Sequence, residues 1–272
     1  AQLLRSNHLK QNHPIKLLFT GHKGSGKTTE INKLCTEIGD KFFLVRVSFN
    51  NPADVHYVDV PVKAAMSLFK AATDAEVIRR APAQVLGDLW EDIGSFFEKM
   101  IYGADPSPKD SSSLKEITAK INLEVVEFEA KFDTEPSSRD KIRQNNERRL
   151  AEINDKISLL SDQIKLKYGK PVLFVFEGLD KIDLGQGKEI FIDRSQTISG
   201  FRASAIFLMP IGLRYTPQFS TATQYFKHYS LSNIKLHTRD NQPYPAGKAK
   251  LQELIAQRID PFLFAGNSLD EA

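Results

Sequence analysis

Apolar residues along this chain come in two textures. Short, nearly unbroken apolar runs lie at residues 15–20 (Ile15-Lys16-Leu17-Leu18-Phe19-Thr20), 42–49, 172–176 and 205–209. Such runs suit strands of a mainly parallel sheet covered on both faces. Elsewhere the apolar positions recur at helical spacing. Thr28 to Ile38 reads as a helix directly after the first strand, and Val62, Ala65, Met66, Phe69 and Ala72 follow Pro61, a favoured first helical residue. Residues 84–100 carry Leu86, Leu89, Trp90, Ile93, Phe96, Phe97 and Met100 on one face, a stripe that reads as core packing. Leu150, Ile153, Ile157, Leu160 and Ile164 repeat in steps of three and four within a long charged helix from Arg139 to Lys167. A helix over Gly187 to Ile198 and a fifth strand within Tyr229 to Leu236 are predicted next. A last helix, Lys248 to Ile259, has Leu251, Leu254, Ile255 and Ile259 on its inner face.

Polar breaks divide these elements. Ala1 to Pro14 is a polar lead-in, Asn50-Asn51-Pro52 ends the second strand, and Asn241 to Pro245 is a turn. Gly103 to Ser113 reads as a loop. Ile121, Leu123 and Val125, then Val126, Phe128, Ala130 and Phe132, alternate with polar residues, as an extended ribbon with a bulge would. The expected layout is therefore an α/β core in two parts, residues 1–51 and 170–240, interrupted by a mostly helical insertion at 52–169. Residues 241–272 begin a C-terminal helical region. The last residues, Ser268 to Ala272, look like a helix cap and first turn, so a continuation is expected.

Composition changes this picture little. The 272 residues carry a net charge of +3, too small to call for nucleic acid or a membrane surface. Cys35 is the single cysteine, which excludes an intramolecular disulfide and a cysteine-based metal cluster. The six histidines (His8, His13, His22, His56, His228 and His237) include no pair at ligand spacing on one helix, which argues against zinc. No stretch is long and apolar enough to span a membrane, and no signal-peptide core precedes the first strand. A cytoplasmic setting is expected.

The chemistry concentrates at two places. Gly21-His22-Lys23-Gly24-Ser25-Gly26-Lys27-Thr28, followed by Thr29, fits a phosphate-binding loop between a strand and a helix. Its glycines let successive backbone N–H groups turn inward, and the helix start adds a positive dipole end. Lys27 is placed to reach the β- and γ-phosphates of a nucleoside triphosphate, and Thr28 to ligate Mg2+. The second place is the end of the 172–176 strand, Phe176-Glu177-Gly178-Leu179-Asp180. There an acid follows an apolar strand, and a glycine turns a second acid back toward the nucleotide.

Together these two motifs resemble the P-loop ATPases of the AAA/STAND group, with a Walker B form similar to that of bacterial-type NACHT-like switch ATPases. The resemblance covers the strands near residues 15–50 and 170–215. It implies a three-layer P-loop NTPase core with a mostly parallel sheet, ATP and Mg2+ as substrate and cofactor, and slow hydrolysis used as a switch in signalling or defence. It assigns phosphate binding to Gly21 through Thr29 with Lys27, metal binding to Thr28 and Glu177, and water orientation to Asp180. Glu177 stands where that group has Asp, which points to weak turnover. Arg214, after the 205–209 strand, is the nearest basic residue for sensing the γ-phosphate. A helical lid would lie beyond Ala272. Lys181-Ile182-Asp183 is similar to the Lys-x-Asp of GTPases, but it directly follows the strand and Asp180 sits where Asn is required. Two rival readings are an inert nucleotide-binding interaction module working through residues 153–164, by self-association or with a protein partner, and a DNA-associated motor.

Overall fold

Strand β1 (Lys16–Gly21), β2 (Phe43–Ser48), β3 (Val172–Glu177), β4 (Ser204–Leu208) and β5 (Lys227–Leu231) form one five-stranded parallel sheet in the order β2-β3-β4-β1-β5. The structure, a computed structural model, describes residues 14–75, 95–96, 99–100, 130, 132 and 134–257. The inner strands β3 and β4 are buried almost throughout, and the edge strands β2 and β5 alternate or are half-exposed. Inner strands of a covered parallel sheet need apolar side chains on both faces, which is why 172–176 and 205–209 read as unbroken apolar runs. By compactness the chain divides into two units, Ala1–Thr20 with Gly26–Ser230, and Gly21–Ser25 with Leu231–Ala272.

The sheet's two faces carry separate apolar sets. Val45, Val47, Phe174, Phe176, Ala205 and Phe207 belong to the large core cluster. Leu173, Val175, Ile206 and Leu208, equally buried, alternate with them and turn to the other face. Helix α1 (Lys27–Ile38) buries Ile31, Cys35 and Ile38, which lie outside the large cluster. A right-handed crossover from β1 to β2 runs opposite in direction to the later connections, so it places α1 on the face away from them. This arrangement is compatible with three layers.

Helix α2 (Asp59–Asp74) is buried nearly all round, as a helix inside a core must be. Helix α3 (Pro136–Asn146) and helix α4 (Leu150–Tyr168) replace the single helix expected over Arg139 to Lys167. The break is a 3-10 turn at Glu147–Arg149. Beside the break the buried Asn146 carboxamide donates to the carbonyls of Ile142 and Met100. Arg143 then ties α3 to the segment after β2, donating to Asp54 and Asp59. Burial alone would push the Asp54 carboxyl up, but hydrogen bonds and charge from Arg143 and Arg139 outweigh it and hold it below the usual range.

The three-and-four stripe on α4 is spent inside the chain. Ile153, Ile157 and Ile164 are buried in the large core cluster, where α4 packs against α2. It is therefore no exposed dimerising seam. Ile157→Asp is expected to cost about 5 kcal/mol, combining a lost core side chain with a buried unpaired carboxylate. Chemical denaturation reads this directly. Unfolding at markedly lower denaturant, without any change of oligomeric state in the folded fraction, is the expected result.

Beyond β3 the chain forms α5 (Leu184–Lys188), a π turn (Glu189–Asp193) and α6 (Ser195–Ser199), so the single helix expected over 187–198 is present but interrupted. After β4 come a 3-10 turn (Ile211–Tyr215) and α7 (Phe219–Tyr225). The fifth strand ends at Leu231, short of the expected Leu236. In the second unit, α8 (Pro245–Ala256) starts earlier than expected, and Leu251 and Leu254 on its predicted inner face are exposed at 37% and 42%. The ribbon expected at 121–132 lies outside the described residues except for Ala130 and Phe132, which are helical. The lead-in at 1–13, most of the 84–100 helix, the 103–113 loop and Ile259 also lie outside them. Among the described residues, no helix is long and apolar enough to cross a membrane.

Candidate functional site

Parallel register gathers the strand ends. Ser48 pairs with Glu177, Phe176 with Phe207, and Leu208 with Phe19. Ser48, Glu177, Leu208 and Phe19 therefore share one row at the carboxyl edge of the sheet, with side chains on the α1 face. In open α/β sheets ligands bind outside this edge.

Gly178 makes the turn after Glu177 possible. Its φ is +93°, and a Cβ there would strike the carbonyl oxygen of Phe49. The Phe49 N–H meanwhile donates to the Glu177 carbonyl at 2.9 Å, extending the β2–β3 pairing. A 3-10 turn at Leu179–Lys181 follows, anchored by the fully buried Leu179. The result is that Asp180 returns to Lys27. The Asp180 carboxylate lies 3.2 Å from the Lys27 ammonium, with both side chains largely buried. Asp183, three residues on, is occupied in capping α5. Its carboxylate accepts from the Gln186 N–H at 2.9 Å, which gives the Lys-x-Asp stretch a structural task.

Glu177 has a partner that the sequence reading missed. Arg46 Nη1 donates to its Oε1 at 3.1 Å, and Arg46 Nη2 donates to Asn32 Oδ1 at 2.8 Å. Arg46 and Glu177 are diagonal neighbours across β2 and β3. The signal was present: Arg46 is the one charge within the apolar run at 42–49. Cys35 sits beside this group. Burial raises its thiol, with Arg46 opposing and Glu177 adding to the shift.

The loop itself is described by its own backbone. Gly24 and Gly26 have φ of +80° and +86°, a region L side chains rarely adopt, with open space where a Cβ would stand. Ser25 N–H donates to the His22 carbonyl at 3.2 Å, and the buried Ser25 hydroxyl has no hydrogen-bond partner among the described residues. His22, Lys23 and Gly24 are exposed, Gly21 is buried, and Thr28 and Thr29 are exposed on the first turn of α1. Arg214 joins neither acid. It lies near the Tyr215 ring, 5.9 Å from its centroid, and its charge acts on His228. Among the described residues no three His, Cys, Asp or Glu side chains cluster as a metal site.

Comparison of the chain with protein-family models, curated proteins and solved structures finds no match. What fold and site define is a class of architecture. It is an α/β protein with a parallel sheet, a glycine-bearing loop leaving one strand and an acidic turn leaving another.

Proposed function

We propose that this chain is a Mg2+-dependent ATP-binding and slowly hydrolysing switch ATPase of the AAA/STAND type, built on a three-layer P-loop core and serving in signalling or defence. The observation that carries the reading is the 3.2 Å approach of Lys27 to Asp180. Two motifs far apart in sequence meet through their side chains, as a phosphate-binding lysine and a water-orienting acid require.

The residues present fit a polyphosphate. The orphaned Ser25 hydroxyl, the positive-φ glycines and the ammonium of Lys27 are donors or donor-bearing backbone suited to phosphate oxygens. Thr28 and Glu177 are hard oxygen donors suited to Mg2+, and the Arg46 hydrogen bond takes only Oε1 of the carboxylate. Mg2+ held there supplies neutralisation of phosphate charge. The chain's own work is separate: Lys27 binds and orients the phosphates, Asp180 accepts a hydrogen bond from the attacking water, and Arg46 restrains Glu177. That restraint, together with the extra methylene of Glu177, is the physical reason to expect slow turnover. Arg214 is the residue offered for γ-phosphate sensing.

Against the interaction-module reading stands the burial of Ile153, Ile157 and Ile164 within the chain. Calorimetry with ATP and GTP in the presence of Mg2+, with phosphate release followed in parallel, tests the proposal. ATP is expected to bind in preference to GTP. Glu177→Asp is expected to raise turnover several-fold, because the shorter acid gives up the Arg46 bond. Wild-type protein that binds neither nucleotide would sink the reading.

A further inference from the structure

Thr20, next to last in β1, is wholly buried, yet its side chain is polar. A buried hydroxyl needs a partner. It has one in His228 on β5, whose Nε2 lies 2.9 Å from Thr20 Oγ1. The ring is held in place from another side by Phe219 of α7, edge to face at a centroid distance of 5.3 Å. One residue earlier on β1, Phe19 stacks on Tyr229 at 5.7 Å. The edge strand is therefore tied to β1 by two side-chain contacts. Both lie where the chain is about to leave the strand for the loop at Gly21.

We propose that His228 is a positioning residue for phosphate binding: through Thr20 it sets the direction in which β1 delivers the chain to the phosphate-binding loop. This inference rests on the nucleotide reading above. It adds a residue from β5, a strand to which neither motif belongs. The geometric argument is that a phosphate-binding loop works through fixed backbone N–H groups, so its donors are only as well aimed as the strand that carries them. A valine at position 20 would fill the same space. Threonine instead commits the strand end to one hydrogen-bonded orientation. Burial, and after it the charge of Arg214, lower the imidazole pKa, so the neutral ring is the form in place at pH 7. A neutral ring pairs with a hydroxyl in either tautomer, since threonine both donates and accepts.

The experiment compares wild type, Thr20→Val, His228→Phe, the double variant and His228→Gln. It reads affinity for a fluorescent ATP analogue together with thermal stability. Thr20→Val is nearly isosteric, and His228→Phe keeps an aromatic ring against Phe219. Each single variant is expected to weaken binding about tenfold, the equivalent of one lost hydrogen bond. The double variant is expected to be no weaker than either single, because both remove the same bond. His228→Gln, which returns a polar group near the Nε2 position, is expected to restore binding. Lower melting temperatures with unchanged affinity in Thr20→Val and His228→Phe would overturn the inference, leaving a purely structural bond. So would additive losses in the double variant. Wild-type protein that fails to bind the analogue overturns the nucleotide reading itself, an outcome distinct from wild-type binding with indifferent variants.

Discussion

Lys27→Ala is expected to weaken the proposed ATP binding by about 100-fold, the loss that follows when charge-assisted hydrogen bonds to phosphate oxygens disappear. Lys27 opens α1 directly after Gly26, whose left-handed φ turns the chain into the helix. The side chain is largely buried and faces Asp180. Truncation therefore acts twice. It deletes the cation that phosphate oxygens would meet, and it leaves the Asp180 carboxylate without its partner, a negative charge beside a polyanion. Lys27→Met separates packing from charge, since it keeps most of the aliphatic stem. Titration calorimetry is expected to show the same large loss for both variants, with circular dichroism showing folded protein in each. Near wild-type affinity in Lys27→Met would show that the ammonium does not contact the ligand, and the site assignment would fail.

Gly178→Ala is the substitution expected to cost the most stability for the fewest atoms. Two independent reasons converge. At φ +93° an L side chain is strained, and the added Cβ would meet the Phe49 carbonyl oxygen. Relieving the collision means pulling β2 and β3 apart where the Phe49 N–H donates to the Glu177 carbonyl. Strain of this kind costs about 1–3 kcal/mol, and the lost pairing adds to it, for a total of about 4 kcal/mol. Urea denaturation measures it. The same displacement would shift Glu177 away from Arg46 and Asp180 away from Lys27, so any folded Gly178→Ala protein is expected to show reduced turnover as well. A stability within about 0.5 kcal/mol of wild type, the range of an ordinary surface change, would mean that the turn relaxes without the glycine.

Much of the fold was legible because the inner strands are covered on both faces. Val172 to Phe176 and Ala205 to Met209 have no polar face to interrupt the apolar run, so their identity as strands is written locally. The helix from Arg139 to Lys167 was less legible. Its charged periodicity continues through residues 147–149, and the break there coincides with the buried Asn146, whose amide donates to Ile142 and to the distant Met100. The α4 stripe shows a different limit. Spacing alone is the same for a dimer seam and for a helix packed on its own core, and the choice lies with α2, whose buried surface receives it. For α8 the limit runs the other way, since its periodic apolar residues predicted a buried face and Leu251 and Leu254 are exposed.

At the candidate site the division is similar. The sequence by itself determined the loop pattern from Gly21 to Thr28 and the acidic turn from Glu177 to Asp180, because each is a run of neighbours whose spacing follows from backbone chemistry. It also determined Gly178 as the residue able to turn there. Only the tertiary structure decided that Lys27 faces Asp180, that Arg46 holds Glu177 and is itself held by Asn32, that Arg214 lies near the Tyr215 ring, and that His228 holds Thr20. Those partners come from different strands and helices. Their meeting depends on strand order and register, which follow from the packing of the whole sheet and leave no local trace in the chain.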